Sequence, residues 1–223
     1  MHYASLYKFP SVYEVVHSYE NDSSTDFHQI VAVMAKIPRS QAKTINLGLF
    51  YGMGKAKLQA ELGVSKDKAK ELFDQYHERV PFVRDLMNET SRWASRTGEI
   101  RTLLGRGCRF NRWEPAQFGM HTPMTWEDAM KKYGENRIRR AFTYKALNKL
   151  IQGSAADMTK KSMLDLYKEG IIAYIQIHDE LDISVESDKK AKRIIEIMEA
   201  AVDLEVPNKV DYESGKTWGN IYD

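Results

Sequence analysis

The spacing of Arg39, Lys43, Leu47 and Tyr51 is the first pattern in the sequence that could support chemistry. Residues four apart lie on one face of a helix, so two cations, an apolar side chain and a tyrosine would form one stripe. Arginine offers a planar fork of donors and lysine a point charge. This set suits a ligand with a polyphosphate at one end and a planar ring at the other. An ordinary amphipathic helix with solvated cations would show the same spacing.

A second pattern places acidic residues between two alternating apolar runs. Apolar residues alternate in the runs 171–177 and 181–185, which predicts a hairpin with a polar tip. The tip contains Asp179 and Glu180 beside His178. Adjacent carboxylates repel each other unless a cation neutralises them, and oxygen ligands favour a hard ion such as Mg²⁺. A polar turn exposed to water is the alternative interpretation.

A third pattern combines two amides with small residues. Asn148 and Gln152 are four apart, and Gly153 and three further small residues follow. Amide side chains on one helix face can reach sugar edges or groove acceptors of a duplex, and small residues allow close backbone approach. A contact between two helices would use the same residue types.

The elements that must position these residues follow from apolar spacing and from capping residues. Asp26 and Ser65 are predicted N-caps, and Pro81 is predicted to begin a helix. The expected helices lie within residues 5–19, 27–34, 39–50, 66–79, 81–95, 137–169 (open to an interruption at Gly153) and 189–203. The expected strands are 100–104, 108–110, 171–177, 181–185 and 206–212, and residues 113–135 are expected to be irregular. This order predicts the α+β class, with a helix-rich middle and a small antiparallel sheet near the end.

Charge and composition narrow the function classes. The chain has 223 residues and a net charge of +2, yet residues 36–112 hold 16 basic and 8 acidic side chains, whereas residues 170–223 hold 6 and 12. A basic body beside an acidic end fits a polyanion-binding protein with a cluster of carboxylates. The single cysteine, Cys108, excludes a disulfide framework and a cysteine-only zinc site. No apolar run approaches about 18 residues, so we expect no membrane-spanning helix and no membrane partner.

Together these segments resemble the family A DNA polymerases, the group of bacterial DNA polymerase I and many phage replicases. Residues 39–53 resemble the family's motif B on the long fingers helix, 175–181 its motif C in the palm, and 148–157 the palm helix before motif C. Shorter matches are Asp26-Phe27-His28, the segment 102–106 that ends at Arg106, and the ending from Val206 and Pro207 to Trp218. The resemblance implies a partial right-hand polymerase fold, with helix-rich fingers plus part of a palm that has a small antiparallel sheet.

The resemblance also implies a role for each matching position. Arg39 and Lys43 would bind the phosphates of the incoming dNTP, with help from His28, and Lys43 would also offset charge during catalysis. Asp179 would hold catalytic metal, with Glu180 beside it in a lesser role. The other implied roles are a sugar contact for Leu47, the templating position for Tyr51, the primer terminus for His178, and contacts to primer–template DNA for Arg106, Asn148 and Gln152.

The implied reaction transfers a nucleotide from a dNTP to a primer 3′-hydroxyl with two Mg²⁺ ions, the second of which would need a carboxylate from outside this sequence. The matching segments divide the chain into three parts. Residues 1–38 would follow the family's motif A and lead into the fingers. Residues 39–140 would form the fingers, and residues 141–223 the C-terminal part of the palm with the motif C hairpin.

The main departure from the family pattern concerns motif A, Asp-x-Ser-x-x-Glu. Asp22-Ser23-Ser24 gives only Asp-x-Ser, with Phe27 in the place of Glu, in a polar stretch that is too close to motif B. We therefore expect an N-terminal polypeptide to supply motif A and the thumb, as in a split polymerase. A truncated piece of a longer gene and a non-catalytic DNA-binding or scaffold relative are the alternatives.

Leu47 is a smaller departure, because the family usually has Phe or Tyr at that position. Leucine lacks both the ring and the hydroxyl, so we expect altered discrimination between deoxy- and dideoxynucleotides. With the short segment before Arg39, it also hints at a phage source, which would place the protein in the cytoplasm of the host.

Overall fold

The computed structural model describes residues 1–9, 12–13, 16–17, 21, 26–35, 37–117 and 119–217. The chain forms two compact units, Met1–Gly153 and Ser154–Asp223, and the division between them falls inside one long helix. Among the described residues, no helix is both long and apolar enough to span a bilayer.

Helices make up most of the first unit. In chain order they are α1 (His2–Leu6), α2 (Phe27–Ala35), α3 (Arg39–Phe50), α4 (Lys55–Leu62), α5 (Lys66–Arg79), α6 (Pro81–Thr97), α7 (Trp126–Tyr133) and the first part of α8 (Ala146–Lys168). Helix α2 packs against α3, and α4 packs against α5. The pairing of α2 with α3 is the one that positions the predicted binding stripe.

The predicted helix starts at Asp26, Ser65 and Pro81 are confirmed. The Asp26 carboxylate accepts hydrogen bonds from the backbone amides of His28 and Gln29. These amides lie in the first turn of α2, where no carbonyl of the helix can accept from them. The Ser65 hydroxyl accepts from the Lys68 amide in the same way. Pro81 is the first residue of α6, where its missing N–H costs no hydrogen bond.

Two small antiparallel pairs complete the first unit. Strand β1 (Glu99–Arg101) pairs with β2 (Gly107–Arg109), and β3 (Trp113–Pro115) pairs with β4 (Ile138–Arg140). A short 3₁₀ turn, Thr143–Lys145, links β4 to α8. The core beneath these strands contains Ala94, Ile100, Phe110, Ala146 and Leu150. Burial of this apolar cluster fixes the start of α8 against β1 and the end of α6.

The second unit contains the rest of α8, the hairpin of β5 (Ile175–Ile177) and β6 (Glu180–Asp182), and α9 (Asp188–Glu199). Its core is formed by Leu166, Ile171, Ile194 and Ile197. The unit also exposes a set of large apolar side chains, which we call the exposed apolar row: Leu164, Tyr167, Ile172, Tyr174, Ile175 and Ile177.

The structure corrects the expectation that residues 113–135 are irregular. They contain β3 and α7, and the backbones of Trp113 and Met124 also pair with each other. The Thr125 hydroxyl caps α7 by accepting from the Asp128 amide, so a Thr-x-x-Asp signal for the helix start was present in the sequence. Helix α4 was not predicted either, because its apolar spacing is weak.

The predicted bounds of the long helix and of the two hairpin strands are wrong. The long helix begins at Ala146 rather than near residue 137, because Ile138–Arg140 pairs with β3 instead; it continues through Gly153 without interruption. Strands β5 and β6 are shorter than the alternating runs that predicted them. The opening segment 5–19 lies partly outside the described residues; α1 ends at Leu6, and the described residues Tyr13, Val16 and His17 are helical.

The predicted strand 206–212 is absent from the described structure. Pro207 offers no N–H to a strand partner. The segment bonds to the end of α9 instead, since the Asn208 side chain donates to the Met198 and Glu199 carbonyls and the Val210 amide donates to the Glu199 carboxylate. The Asp22-Ser23-Ser24 segment and Trp218 lie outside the described residues.

Candidate functional site

Helix α3 presents the predicted stripe to solvent. Arg39, Lys43 and Leu47 are exposed, and Tyr51, which follows the last residue of α3, is half-buried. The opposite face of the helix is buried through Ala42, Ile45, Asn46 and Leu49. The apolar residues of that face anchor α3, so the side chains of the stripe stay available to a ligand.

Asp26 links the start of α2 to the first cation of the stripe. Its carboxylate accepts a hydrogen bond from Arg39 Nε at 2.6 Å while it caps α2 with its other oxygen. The hydrogen bond from Arg39 is the main reason that the pKa of Asp26 lies below its usual range. The bond uses one of the five guanidinium N–H donors, so the others remain for anionic oxygens.

His28 is held by a buried amide from α3. Asn46 Nδ2 lies 3.0 Å from His28 Nδ1, and the Asn46 residue is only 3% exposed. Burial is the main cause that lowers the pKa of His28, and the cations Arg39 and Lys43 lower it further against the opposing effect of Asp26. A neutral ring that accepts at Nδ1 carries its proton on Nε2, so His28 can donate a hydrogen bond to an anion at neutral pH.

Tyr51 and Gln152 bring two of the predicted patterns together. Gln152 Nε2 donates to the Tyr51 hydroxyl at 2.6 Å, although the two residues are 101 positions apart in the sequence. The contact joins the end of α3 to the exposed side of α8. Beside it, a shallow hollow of about 430 Å³ is lined by Leu47, Gly48, Tyr51, Gly52, Met53, Gly54 and Lys57.

Arg106 is fixed against the same helix. Its Nη2 donates to the Gly153 carbonyl at 2.8 Å, and its backbone amide donates to Thr102 Oγ1. A Cβ added at Gly153 would lie 2.6 Å from Thr102 Cγ2, so only glycine allows this close approach. The loop that carries Arg106 therefore packs directly on α8 next to Gln152.

The acidic hairpin belongs to the second unit. His178 and Asp179 form the turn between β5 and β6, and Glu180 is the first residue of β6. His178 has a φ of 52°, a left-handed conformation that a tight turn imposes, and its carbonyl accepts from the Gln176 side chain. The side chains of all three tip residues are exposed.

The carboxylates of the hairpin fit part of a Mg²⁺ site. Proteins usually bind Mg²⁺ through one or two carboxylates together with substrate phosphates, and Asp179 and Glu180 supply such oxygens. Alternation along β6 puts Asp182 on the same face as Glu180, and Asp182 Oδ2 is buried without a hydrogen-bond partner. Within the described ranges, however, no three His, Cys, Asp or Glu side chains are grouped as a complete metal site.

Within each unit, the structure brings predicted residues together. Arg39, Lys43, Leu47 and Tyr51 share one helix face, and Gln152 joins Tyr51. Asn148 lies one turn before Gln152 on α8. Asp179, Glu180 and His178 lie together at the tip of the hairpin in the other unit.

Two contacts of the candidate site were not predicted from the sequence. The pairing of Asp26 with Arg39 joins two helices, and no spacing rule reveals such a contact. Asn46 did leave a signal, because it is a polar residue at a position where the periodicity of Ala42, Ile45 and Leu49 predicts burial. Buried amides need partners, and the partner of Asn46 is His28.

Comparisons with known proteins agree over most of the chain. A family model described as DNA polymerase family A matches residues 14–220. A DNA-directed DNA polymerase of Pseudomonas phage M6 is 33% identical, over 99% of this chain and 36% of the phage protein. DNA polymerase I of Bacillus caldotenax is 35% identical, over 81% of this chain and 20% of its own length.

A solved structure is similar as well. The POL domain of Pol1 from M. smegmatis, in complex with DNA primer-template and dNTP, matches with a TM-score of 0.72 and 26% identity, over 93% of this chain and 36% of that one. The chain therefore spans between about a fifth and about a third of the length of these relatives.

Proposed function

Because the chain belongs to the family A DNA polymerases, we propose that it forms part of the active site of a template-directed DNA polymerase. That enzyme transfers nucleotides from dNTPs to the 3′-hydroxyl of a primer on template DNA. The stripe on α3 would hold the dNTP, and the hairpin of β5 and β6 would hold metal. The solved relative that contains primer-template and dNTP supports this assignment of ligands.

The stripe binds the triphosphate at its N-terminal end. Arg39 donates from its Nη groups while Asp26 keeps Nε in place, and Lys43 adds a second positive charge one turn later. His28, oriented by Asn46, donates from Nε2. As the leaving pyrophosphate gains charge, these fixed donors stabilise it without having to reorganise.

The sugar and the base lie toward the C-terminal end of the stripe. Leu47 contacts the sugar, and the Tyr51 ring lies at the templating position. Gln152 holds the Tyr51 hydroxyl, while Asn148 and Arg106 contact primer–template DNA on the same side of α8. The template base selects the nucleotide, so these residues supply position rather than sequence recognition.

Asp179, with Glu180 in a lesser role, would hold Mg²⁺, and His178 would contact the terminal nucleotide of the primer. Bound divalent ions supply electrostatic stabilisation of the attacking and leaving oxygens. The hairpin tip contributes too few carboxylates for two ions. We therefore propose that motif A comes from a segment outside these 223 residues, carried with the thumb on a separate N-terminal polypeptide.

The single observation that carries this proposal is the hydrogen bond between Tyr51 and Gln152. It joins the end of a helix that resembles motif B to a helix that resembles the one before motif C, across 101 positions. A scaffold that only bound DNA would have no need for a stripe of phosphate donors ending at an aromatic ring in this place.

The test is primer extension by the assembled protein. The 223-residue chain, alone and mixed with a polypeptide that carries motif A and the thumb, is given primer–template, dNTPs and Mg²⁺. We expect extension only in the mixture. Replacing Asp179 by Ala should reduce extension by at least about 10³-fold, because removal of a metal carboxylate removes charge stabilisation that the transition state requires.

A matched control is Asp203→Asn, which removes an exposed carboxylate of the same unit. It should leave extension unchanged, and duplex binding should survive in both variants. Full extension by Asp179→Ala would overturn the catalytic assignment in favour of a DNA-binding relative. Extension by the 223-residue chain alone would overturn the need for a partner.

A further inference from the structure

His77 lies on the buried side of α5, against the rings of two neighbours on the same helix. The residue is only 5% exposed. Its ring centre lies 4.5 Å from that of Phe73 and 5.4 Å from that of Tyr76, each time edge to face. Its Nδ1 atom is buried and has no hydrogen-bond partner among the described residues. Because histidine changes its charge near neutral pH, this position ties the packing of α5 to protonation.

A neutral His77 suits this position and a charged one does not. Neutral imidazole can leave Nδ1 as a bare acceptor and carry its proton on Nε2. Protonation would add a positive charge and an N–H group at Nδ1, where nothing described accepts from it. A buried donor without an acceptor costs free energy, and a buried charge without a partner costs more. The ring therefore takes up a proton more readily once it has left its packed position.

The charged groups that face His77 also oppose a positive ring. They are Arg84 on α6, Lys55 on α4 and, as the acidic group, Asp74 on α5 itself. The Asp74 carboxylate is already bonded to the Lys55 ammonium at 2.8 Å, and the same ammonium lies 5.0 Å from the centre of the Phe73 ring. Burial is the main cause that lowers the pKa of His77, and the two cations lower it further against the effect of Asp74.

Helix α2, which also packs against α5, adds no charge to these surroundings. Residues 27–35 contain one titratable side chain, His28, and it is bonded to Asn46 of α3. The Tyr76 hydroxyl is buried without a partner among the described residues, and burial raises its pKa, so it stays neutral. A proton on His77 would thus gain no further anion to balance it.

Helix α4 connects the surroundings of His77 to the end of the stripe. It packs against α5, and only residues 52–54 separate it from Tyr51. Lys57 of α4 lines the hollow of about 430 Å³ together with Leu47 and Tyr51. If α4 and α5 moved together away from the rest of the unit, the hollow would lose the side that Lys57 forms.

We propose that His77 is an acid-sensitive switch for the α4–α5 pair. The neutral ring keeps the pair packed in the first unit. Protonation of the ring stabilises an opened form of the pair, in which the hollow beside Tyr51 is no longer complete. The consequence for the base end of a bound dNTP rests on the function proposed above, whereas the opening itself does not.

Acid favours the opened form for a reason of linkage. In the closed form the pKa of His77 lies below its ordinary value of about 6.5, and the ring regains that value when the pair opens. Below about pH 6.5 the opened form therefore binds more protons than the closed one, so the closed form loses stability as the pH falls. From pH 7.5 to pH 5.5, a single group of this kind raises the opening equilibrium by up to about tenfold.

Hydrogen–deuterium exchange of the 223-residue chain at pH 7.5 and pH 5.5 tests the proposal. Each rate is divided into the intrinsic exchange rate at the same pH, so that only the opening equilibrium is compared. Protection of the amides in α4 and α5 should fall about five- to tenfold at the lower pH, and protection in α8 should change less than about twofold. An equal fall in α8 would show that the whole chain unfolds, and would overturn the proposal.

His77→Phe keeps a ring in the packed position and removes the titrating group. In this variant the protection of α4 and α5 should be the same at both pH values, and at pH 7.5 it should be at least that of the parent chain. His17→Phe makes the same change at an exposed histidine of the first unit and is the control. It should keep the pH dependence of the parent chain.

Unchanged protection of α4 and α5 in the parent chain, or the parent's pH dependence in His77→Phe, would overturn the proposal. The first of these outcomes needs no variant, so a folding defect of His77→Phe would not leave the proposal untested. The exchange experiment contains no dNTP, DNA or partner polypeptide. Failure of primer extension would therefore reject the polymerase function alone, and pH-independent exchange would reject the switch alone.

Discussion

At the scale of single residues, two donors of the candidate site are held by side chains of a neighbouring helix. The exposed positions of Arg39, Lys43 and Leu47 follow from helical spacing, and the structure agrees with that spacing. The carboxylate of Asp26 that holds Arg39, and the amide of Asn46 that holds His28, depend on how α2 packs against α3. Such contacts are tertiary, so no local pattern could supply them. The roles of the site residues themselves stay predictions until they are tested.

Leu47 gives the sharpest prediction for a single residue. Leu47→Tyr adds a ring and a hydroxyl donor at the position that we propose contacts the sugar of the nucleotide. A dideoxynucleotide lacks the sugar 3′-hydroxyl and the contact that this group makes. The tyrosine hydroxyl can replace that contact, so the ratio of dideoxy to deoxy incorporation should rise about tenfold or more. The ratio is measured by extension with the assembled polymerase in mixtures of the two nucleotides.

The control places the same substitution elsewhere on a helix surface. Leu164→Tyr changes a leucine that is 50% exposed, close to the 46% of Leu47, and should leave the ratio unchanged. Identical ratios for Leu47→Tyr and the parent protein would show that this position does not contact the sugar.

At the scale of elements, strong amphipathic patterns and caps were reliable and short strands were not. The bounds of α3 and α5 were predicted to the residue, because proline or a serine cap begins each of them. The residues of strand β4 were predicted to be part of the long helix. They form a strand only because they pair with the equally short β3, and no local pattern indicates that pairing. The α+β class and the partial right-hand polymerase fold are nevertheless confirmed. Local periodicity thus fixes the class, while pairing of distant segments fixes the boundaries.

The packing of the Arg106 loop on α8 predicts a cost for Gly153→Ala. The new methyl group would lie 2.6 Å from Thr102 Cγ2, and Thr102 is buried and branched, so the loop must move. Overpacking of this kind costs about 1–3 kcal/mol, and the better helix propensity of alanine returns about 1 kcal/mol. Urea unfolding should therefore show a loss of about 1 kcal/mol in the free energy of unfolding.

Gly48→Ala is the matched control on α3. A methyl group there meets the terminal atoms of the flexible Met53 side chain, which can turn away. This variant should be as stable as the parent chain or slightly more stable. If Gly153→Ala also left the free energy of unfolding unchanged, the loop that carries Arg106 would not pack on α8 as closely as the structure shows.

At the scale of the whole chain, the uneven distribution of charge along the chain can be counted directly from the sequence. Most of the excess positive charge lies in the first unit, and the acidic C-terminal segment lies in the second. The sequence does not show which of the basic side chains are paired with carboxylates in the folded chain. Arg193, for example, donates to Glu169 and contacts Glu196, and these hydrogen bonds hold its pKa above the usual range.

DNA affinity should therefore depend steeply on salt. Between 50 and 200 mM salt we expect the affinity of the chain for primer–template to fall at least about tenfold, because each phosphate contact releases a counterion. Lys149→Ala, on the basic side of α8, should reduce the slope of log affinity against log salt by about one. Fluorescence anisotropy titrations at several salt concentrations measure both quantities.

Lys189→Ala provides the comparison from the acidic C-terminal segment. It removes the same charge from the chain as a whole, yet the slope should not change. An equal effect of the two variants would show that only net charge matters, and a flat salt dependence would contradict phosphate binding altogether.

The exposed apolar row of the second unit has a consequence for the life of the chain in a cell. Six large side chains that face water are what chaperones and quality-control proteases recognise in a newly made protein. Self-association through such a surface grows with the concentration of the chain, whereas covering by a partner saturates once the partner is in excess. If the proposed N-terminal polypeptide covers the row, the amount of usable protein depends on how synthesis of the chain is matched to synthesis of that polypeptide. Overproduction of the chain by itself raises the aggregated fraction faster than the active one.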